Sequence, residues 1–171
     1  MRFLAGLIVG ILLLPLFALL YVWFGYAPVA TAAPPLPLER TIARIALNAR
    51  IKKEAPKNSP IPADEPNLLA GAKVYREYCA VCHGTAGEAK SATAKGMFPP
   101  PPQLFKGKGV TDDPVGETFW KAANGIRLTG MPAYRGSLSD DQLWQVSQLL
   151  ATADKLPEAV KEVVTLPSPA H

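Results

Sequence analysis

"REYCAVCHGTAGE", residues Arg76 to Glu88, holds both cysteines of the chain and one of its two histidines. Three chemistries use two thiols at this spacing: disulfide exchange, zinc binding and covalent attachment of haem c. The neighbouring residues separate them. A redox C-x-x-C sits at the start of a helix behind a strand, in a βαβ setting. Here Leu68, Ala72, Tyr75 and Cys79 recur at i, i+4, i+7 and i+11, so a helix runs into the cysteines and no strand precedes them. A structural zinc site takes four Cys, His or carboxylate ligands. Beyond its two cysteines this chain offers His83, which abuts Cys82 awkwardly for a shared tetrahedral ion, and the terminal His171.

C-x-x-C-H, Cys79 to His83, fits the third chemistry at each position. Two thiols separated by two residues can add to the two vinyl groups on one porphyrin edge. The histidine that follows falls beneath the iron and binds it axially. A second axial ligand must come from elsewhere in the chain. His171 lies at a terminus expected to fray. Of the three methionines, Met1 is cytoplasmic or removed, and Met131 sits in "NGIRLTGMPAYRG" between Gly130 and Pro132, a restricted turn between two helices. A lone methionine usually fills a gap in a core. The turn residues and the position after the motif instead make Met131 the expected ligand, with Met97 in reserve.

Outward from the motif, the chain reads as all-α. The first domain helix is expected to begin at Pro66, since proline suits the first helical position. A long irregular stretch follows, Gly84 to Gly109, including "MFPPPPQLFKGKG"; a loop this long must pack against something. A second helix is signalled by Asp113 before Pro114 and stopped by Gly125. The last helix has an S-x-x-Q capping box, Ser139 and Gln142, with Leu138 and Leu143 placed as a hydrophobic staple, and runs to about Ala153. The two late prolines of the tail, Leu156 to His171, predict fraying beyond a short helical turn. Three short helices leave a small core, so a bound group is expected to complete the interior.

Towards the amino terminus, "APKNSPIPADEP" marks a boundary by its prolines and turn formers. Before it, "LERTIARIALNARIKKEA" reads as a helix over about residues 38–54, with Leu38, Ile42, Ile45 and Ala49 on one face and basic residues on the other. Two readings stand: a helix on a membrane surface or partner subunit, or a stalk folded onto the domain. "YAPVATAAPPLPLE" is a semi-rigid spacer. Ahead of it, Phe3 to Phe24 carries no charge over 22 residues, which as a helix spans about 33 Å, enough for a hydrocarbon core. Tyr21, Trp23 and Tyr26 cluster at its distal end, as aromatic residues do at a bilayer interface. An uncleaved signal anchor fits better than a cleaved signal peptide, whose apolar core is shorter, although Ala30-Thr31-Ala32 could serve as a cleavage site. Either reading sends the rest of the chain across the membrane.

The formal net charge of +4 is local. Arg2, Arg40, Arg44, Arg50, Lys52 and Lys53, against Glu39 and Glu54, account for all of it, and the remainder is neutral. No basic footprint for nucleic acid falls on the domain itself. The expected organisation is thus residues 1–26 anchor, 27–61 linker with the basic helix, 62–156 domain and 157–171 tail.

Taken together, "GAKVYREYCAVCHG", "FPPPPQL", "FWKAANGIRLTGMPAY" and "LSDDQLWQVSQLLA" resemble the class I c-type cytochromes, particularly small bacterial single-haem domains. The resemblance covers about residues 62–156 and implies the cytochrome c fold, three main helices wrapped around one covalently bound haem. It implies a close helix crossing of Gly71 and Tyr75 on Val146 and Leu149, and a proline carbonyl within Pro99 to Pro102 holding the His83 ring. The implied site is Cys79 and Cys82 on haem c, with His83 and Met131 as axial iron ligands. With both axial positions filled, the implied work is one-electron transfer between respiratory or dehydrogenase partners, not catalysis. Leu104, Phe105 and Leu128 would form an apolar shell, and Lys90, Lys95, Lys106 and Lys108 a docking patch. The implied location is the bacterial inner membrane, single-pass, with the domain in the periplasm. Two alternatives remain open: a fixed subunit of a larger redox complex, and a haem enzyme or gas sensor with Met131 off the iron.

Overall fold

The computed structural model describes residues 2–88, 91–105 and 113–167. Among them every regular element is helical. The chain divides into two compact units, Met1–Arg40 and Thr41–His171.

The first unit contains α1, Arg2–Trp23, an uninterrupted helix with Pro15 inside it. Its hydropathy of 2.8 and its 22-residue length suit a membrane span, and they equally suit a signal sequence. Leu38 closes the spacer in the left-handed region, at φ 65°.

The second unit takes in nearly all of α2, Glu39–Glu54. The sequence placed its apolar stripe at Leu38, Ile42, Ile45 and Ala49. The first three are 63–69% exposed, and Ile51, on the opposite face, is the residue buried, at 2%. The end of α2 therefore lies on the domain. Trp120 Nε1 donates to Glu54 at 3.2 Å. The Pro56 carbonyl approaches Gly116 so closely that any Cβ there would collide with it. Of the two readings of the basic stretch, a stalk folded onto the domain describes this end of the helix.

The core is built by α3 (Glu65–Val74), α6 (Val115–Asn124), α7 (Asp140–Ala151) and α8 (Glu158–Thr165). Helix α3 starts one residue before the expected Pro66, because the Asp64 side chain accepts from Asn67 N–H and caps it. It crosses α7 at Gly71, whose Cα has no room for a side chain: a Cβ would stand 2.3 Å from the Gln145 carbonyl oxygen. Leu68, Ala72 and Tyr75 then meet Leu143, Val146 and Leu149 in one buried cluster. The expected capping box of α7 is present, with Ser139 and Gln142 exchanging bonds, and Leu138 and Leu143 are both buried. Phe119 of α6 stacks on Trp144 of α7 with centroids 4.0 Å apart.

The tail departs from expectation. In place of a short turn it holds the eight-residue helix α8, which packs on α3 with Val160 and Val164 0% and 1% exposed, and the residues after Pro167 lie outside the described residues. Two valines four residues apart make a narrow apolar stripe, enough to dock two helical turns. The Ala86 N–H also donates to the Val164 carbonyl at 3.1 Å, fastening the tail beside the cysteine segment.

Candidate functional site

Helix α3 does not enter the cysteines as a regular α-helix. Tyr75–Cys79 forms a π-turn in which the Ala80 N–H reaches back to the Tyr75 carbonyl, and α4, Ala80–His83, follows. The extra residue re-aims everything after it relative to α3, a distortion often found at functional sites. Gly84 ends the segment at φ 75°, in the left-handed region glycine occupies without penalty. The Tyr75 hydroxyl, buried in the core, donates to the Gly84 carbonyl at 2.6 Å, tying the two ends of the segment together.

Cys79 and Cys82 are free thiols, both half-buried. Burial, reinforced by Cys82, pushes the Cys79 thiol up to about 12, and burial raises Cys82 as well. Both are held neutral, poor nucleophiles until something activates them. Among the described residues, no group of three or more His, Cys, Asp or Glu converges as a metal cluster.

His83 Nδ1 lies 2.7 Å from the Pro102 carbonyl. A carbonyl only accepts, so Nδ1 carries the hydrogen and Nε2 keeps the free lone pair. Burial lowers the His83 pKa while the Pro102 bond opposes it, which favours the neutral ring a metal requires. The four-proline run left the accepting carbonyl undecided, and the structure resolves it as Pro102. Gln103 locks the loop behind it, donating to the Thr85 carbonyl at 2.9 Å and accepting from Phe105 N–H at 2.7 Å.

Met131 lies on the loop after α6. Its N–H donates to Thr129 Oγ1 at 3.1 Å, and its carbonyl accepts from Ile126 N–H at 3.2 Å. Gly125, at φ 66°, turns the chain where a Cβ would stand 2.9 Å from the Met131 carbonyl oxygen. Met97, the reserve candidate, packs on the same loop: a Cβ on Gly130 would lie 2.7 Å from its Sδ. The loop meets the cysteine segment through Tyr134, whose hydroxyl donates to the Tyr78 carbonyl at 2.8 Å. The two tyrosine rings stand edge to face, 5.9 Å apart. Burial, then the neighbouring Cys79 and Cys82, push the Tyr134 hydroxyl up to about 12.

Of the expected apolar shell, Leu104 and Phe105 are half-buried against the core, and Phe105 sets its edge on Tyr75 with centroids 4.8 Å apart. Leu128, at φ 61°, occupies the corner of the Ile126–Thr129 turn and is 92% exposed. Lys95 is exposed at the end of α5, Ala92–Lys95. Lys90, Lys106 and Lys108 lie outside the described residues, as does His171. The sequence reading missed Tyr134, Tyr78 and Gln103. Tyr134 had a signal, its place three residues after Met131, but its partner is a backbone carbonyl that no side-chain pattern marks.

Two thiols at this spacing, followed directly by an imidazole whose Nε2 is left free, are the residues that covalently attached haem takes. Tyr78, Cys79, Leu104, Phe105 and Tyr134 all pack on the core yet keep apolar surface uncovered beside it. Residues 66–150 match the family described as cytochrome c oxidase, cbb3-type, subunit III. These residues are a c-type cytochrome domain. The chain is 30% identical to a thiosulfate dehydrogenase of Stutzerimonas stutzeri (strain A1501) over 97 residues, covering 56% of this chain and 30% of that protein. It also resembles a chain of the reducing HAO-like protein complex of Kuenenia stuttgartiensis, with a TM-score of 0.50 and 25% identity. That likeness covers 58% of this chain and 49% of the other. The chain thus spans less than half the length of either relative. Residues 66–150 are thus an electron-transfer domain of the kind that takes haem.

Proposed function

We propose that the protein is a membrane-anchored c-type cytochrome with one haem, attached through Cys79 and Cys82 and ligated by His83 and Met131. When bound, haem c supplies a one-electron ferric/ferrous couple, and an axial methionine raises its potential. The observation that carries the reading is the His83–Pro102 bond of 2.7 Å beside two free cysteines. It orients the ring, fixes the tautomer and leaves Nε2 for the metal, as a partner behind a ligating histidine does.

The other residues serve that arrangement. Gly84 and Tyr75 hold the segment on the core, Gln103 keeps Pro102 in place, and Leu104 and Phe105 supply an apolar wall that keeps water from one side. His83 and Met131 would both hold the iron, and the chemistry the haem would supply there is one-electron transfer. Residues 1–26 serve as the anchor, with the cytochrome domain on the periplasmic side of a bacterial inner membrane, and the partners are redox proteins.

A second reading, a fixed subunit of a larger oxidoreductase complex, is favoured by the docked end of α2, with Ile51 buried and Pro56 against Gly116. It is favoured also by relatives that are a dehydrogenase and a member of a protein complex. Solubilisation of membranes in mild detergent followed by size separation distinguishes the two: a carrier migrates alone, a subunit with its complex. The haem assignment is tested by the Cys79→Ala/Cys82→Ala double variant, which should lose haem stain on a denaturing gel. Covalent haem surviving that change would overturn the assignment.

A further inference from the structure

The loop that delivers Met131 is tied down mostly to itself and to the end of α6. Thr129 N–H and Oγ1 both bond the Ile126 carbonyl, Met131 N–H bonds Thr129 Oγ1, and Ile126 N–H bonds the Met131 carbonyl. Just beyond, Tyr134 N–H bonds the Ala122 carbonyl and Arg135 N–H that of Ala123. None of these bonds reaches the segment that carries the cysteines and His83. A hydrogen bond that does cross between the two is Tyr134 Oη to the Tyr78 carbonyl, at 2.8 Å.

Its placement is specific on both sides. Tyr78 immediately precedes Cys79 and lies inside the π-turn that aims the motif. Tyr134 stands three residues after Met131, joined to it through Pro132, whose ring stiffens the backbone between them. A displacement of the Tyr134 hydroxyl is therefore passed to Met131 with little slack. The bond is part-buried, where a lost partner costs more than at the surface.

We infer that Tyr134 is the positioning residue for Met131: its hydroxyl, held by the Tyr78 carbonyl, clamps the methionine loop against the cysteine segment and sets how readily the thioether yields its place to a competing ligand. The inference rests on the His83/Met131 reading above. Tyr134→Phe keeps the ring and its contact with Tyr78 and removes only the clamp.

The test uses the full-length holoprotein in detergent and imidazole as the competing ligand. The wild-type ferric protein first shows whether the weak long-wavelength charge-transfer band of iron–thioether ligation is present. In Tyr134→Phe, covalent haem is retained and ferric affinity for imidazole rises roughly five-fold, the equivalent of one ordinary net hydrogen bond. Amide exchange across residues 126–134 speeds up by a similar factor. A Tyr134→Phe protein that melts earlier but binds imidazole as the wild type does would show a merely structural hydroxyl and overturn the inference. Unchanged melting and unchanged affinity would overturn it too. So would loss of covalent haem, since the clamp holds the methionine loop and has no part in attachment. Absence of the thioether band in the wild type would instead refute the underlying ligand assignment, and the inference would fall with it.

Discussion

The crossing of α3 and α7 is where one added methyl should be felt most. A Cβ on Gly71 would stand 2.3 Å from the Gln145 carbonyl oxygen and 2.6 Å from its carbon, whereas ordinary contact begins at 3.4 Å. Both obstacles are backbone, so no side chain can swing aside. Gly71→Ala must separate the helices by about 1 Å, and the buried contacts of Leu68, Ala72 and Tyr75 with Leu143, Val146 and Leu149 loosen together. Overpacking of this kind costs about 1–3 kcal/mol. In a domain of this size that lowers the melting temperature by roughly 4–20 °C. The assay is thermal unfolding of the holoprotein followed by far-UV circular dichroism. Gly136→Ala is the control, with nothing within 4 Å of its Cβ and no positive φ, and its effect should stay within about 1 kcal/mol of zero or be stabilising. If Gly71→Ala melted within about 1 °C of the wild type, the close crossing, and the packing argument built on it, would be wrong.

Other expectations follow from the same geometry. Gly116→Ala, whose Cβ would collide with the Pro56 carbonyl, should free the end of α2 and hasten protease cleavage near Lys57, with the haem spectrum unchanged; unchanged cleavage would mean that the stalk is not held there. Val160→Ala should cost about 2 kcal/mol, since it removes buried methyl groups and leaves a cavity; a frayed tail would show no loss in urea unfolding. Met131→Ala should abolish the ferric thioether band and admit carbon monoxide to the ferrous protein. Retention of the band in that variant, and its loss in Met97→Ala, would move the ligand to the methionine packed on Gly130.

Legibility in the sequence followed the range of the physical cause. The capping box at Ser139 and Gln142, the stop at Gly125 and the motif at Cys79 to His83 are local, and each was readable from a few adjacent residues. The crossing at Gly71 and the carbonyl behind His83 came through family resemblance, and four identical prolines could not say which one turns its oxygen to the ring. The stripe of Leu38, Ile42 and Ile45 on the basic helix was legible from spacing, whereas the docking of the end of α2 rests on Ile51 and the backbone at Pro56, which spacing does not mark. The docking of α8 was not legible because it rests on only two valines, Val160 and Val164, too few to stand out as a stripe. The π-turn at Tyr75–Cys79 and the Tyr134–Tyr78 bond depend on backbone groups, which every residue carries alike.

The central claim is that iron sits between His83 and Met131 in a haem fixed to Cys79 and Cys82. The most direct test is the absorption spectrum of the purified full-length ferric protein, recorded before and after exposure of its reduced form to carbon monoxide. The account predicts a low-spin spectrum with the weak thioether band and a ferrous spectrum that carbon monoxide leaves unchanged. A high-spin ferric spectrum without that band, or prompt carbon monoxide binding, would contradict it.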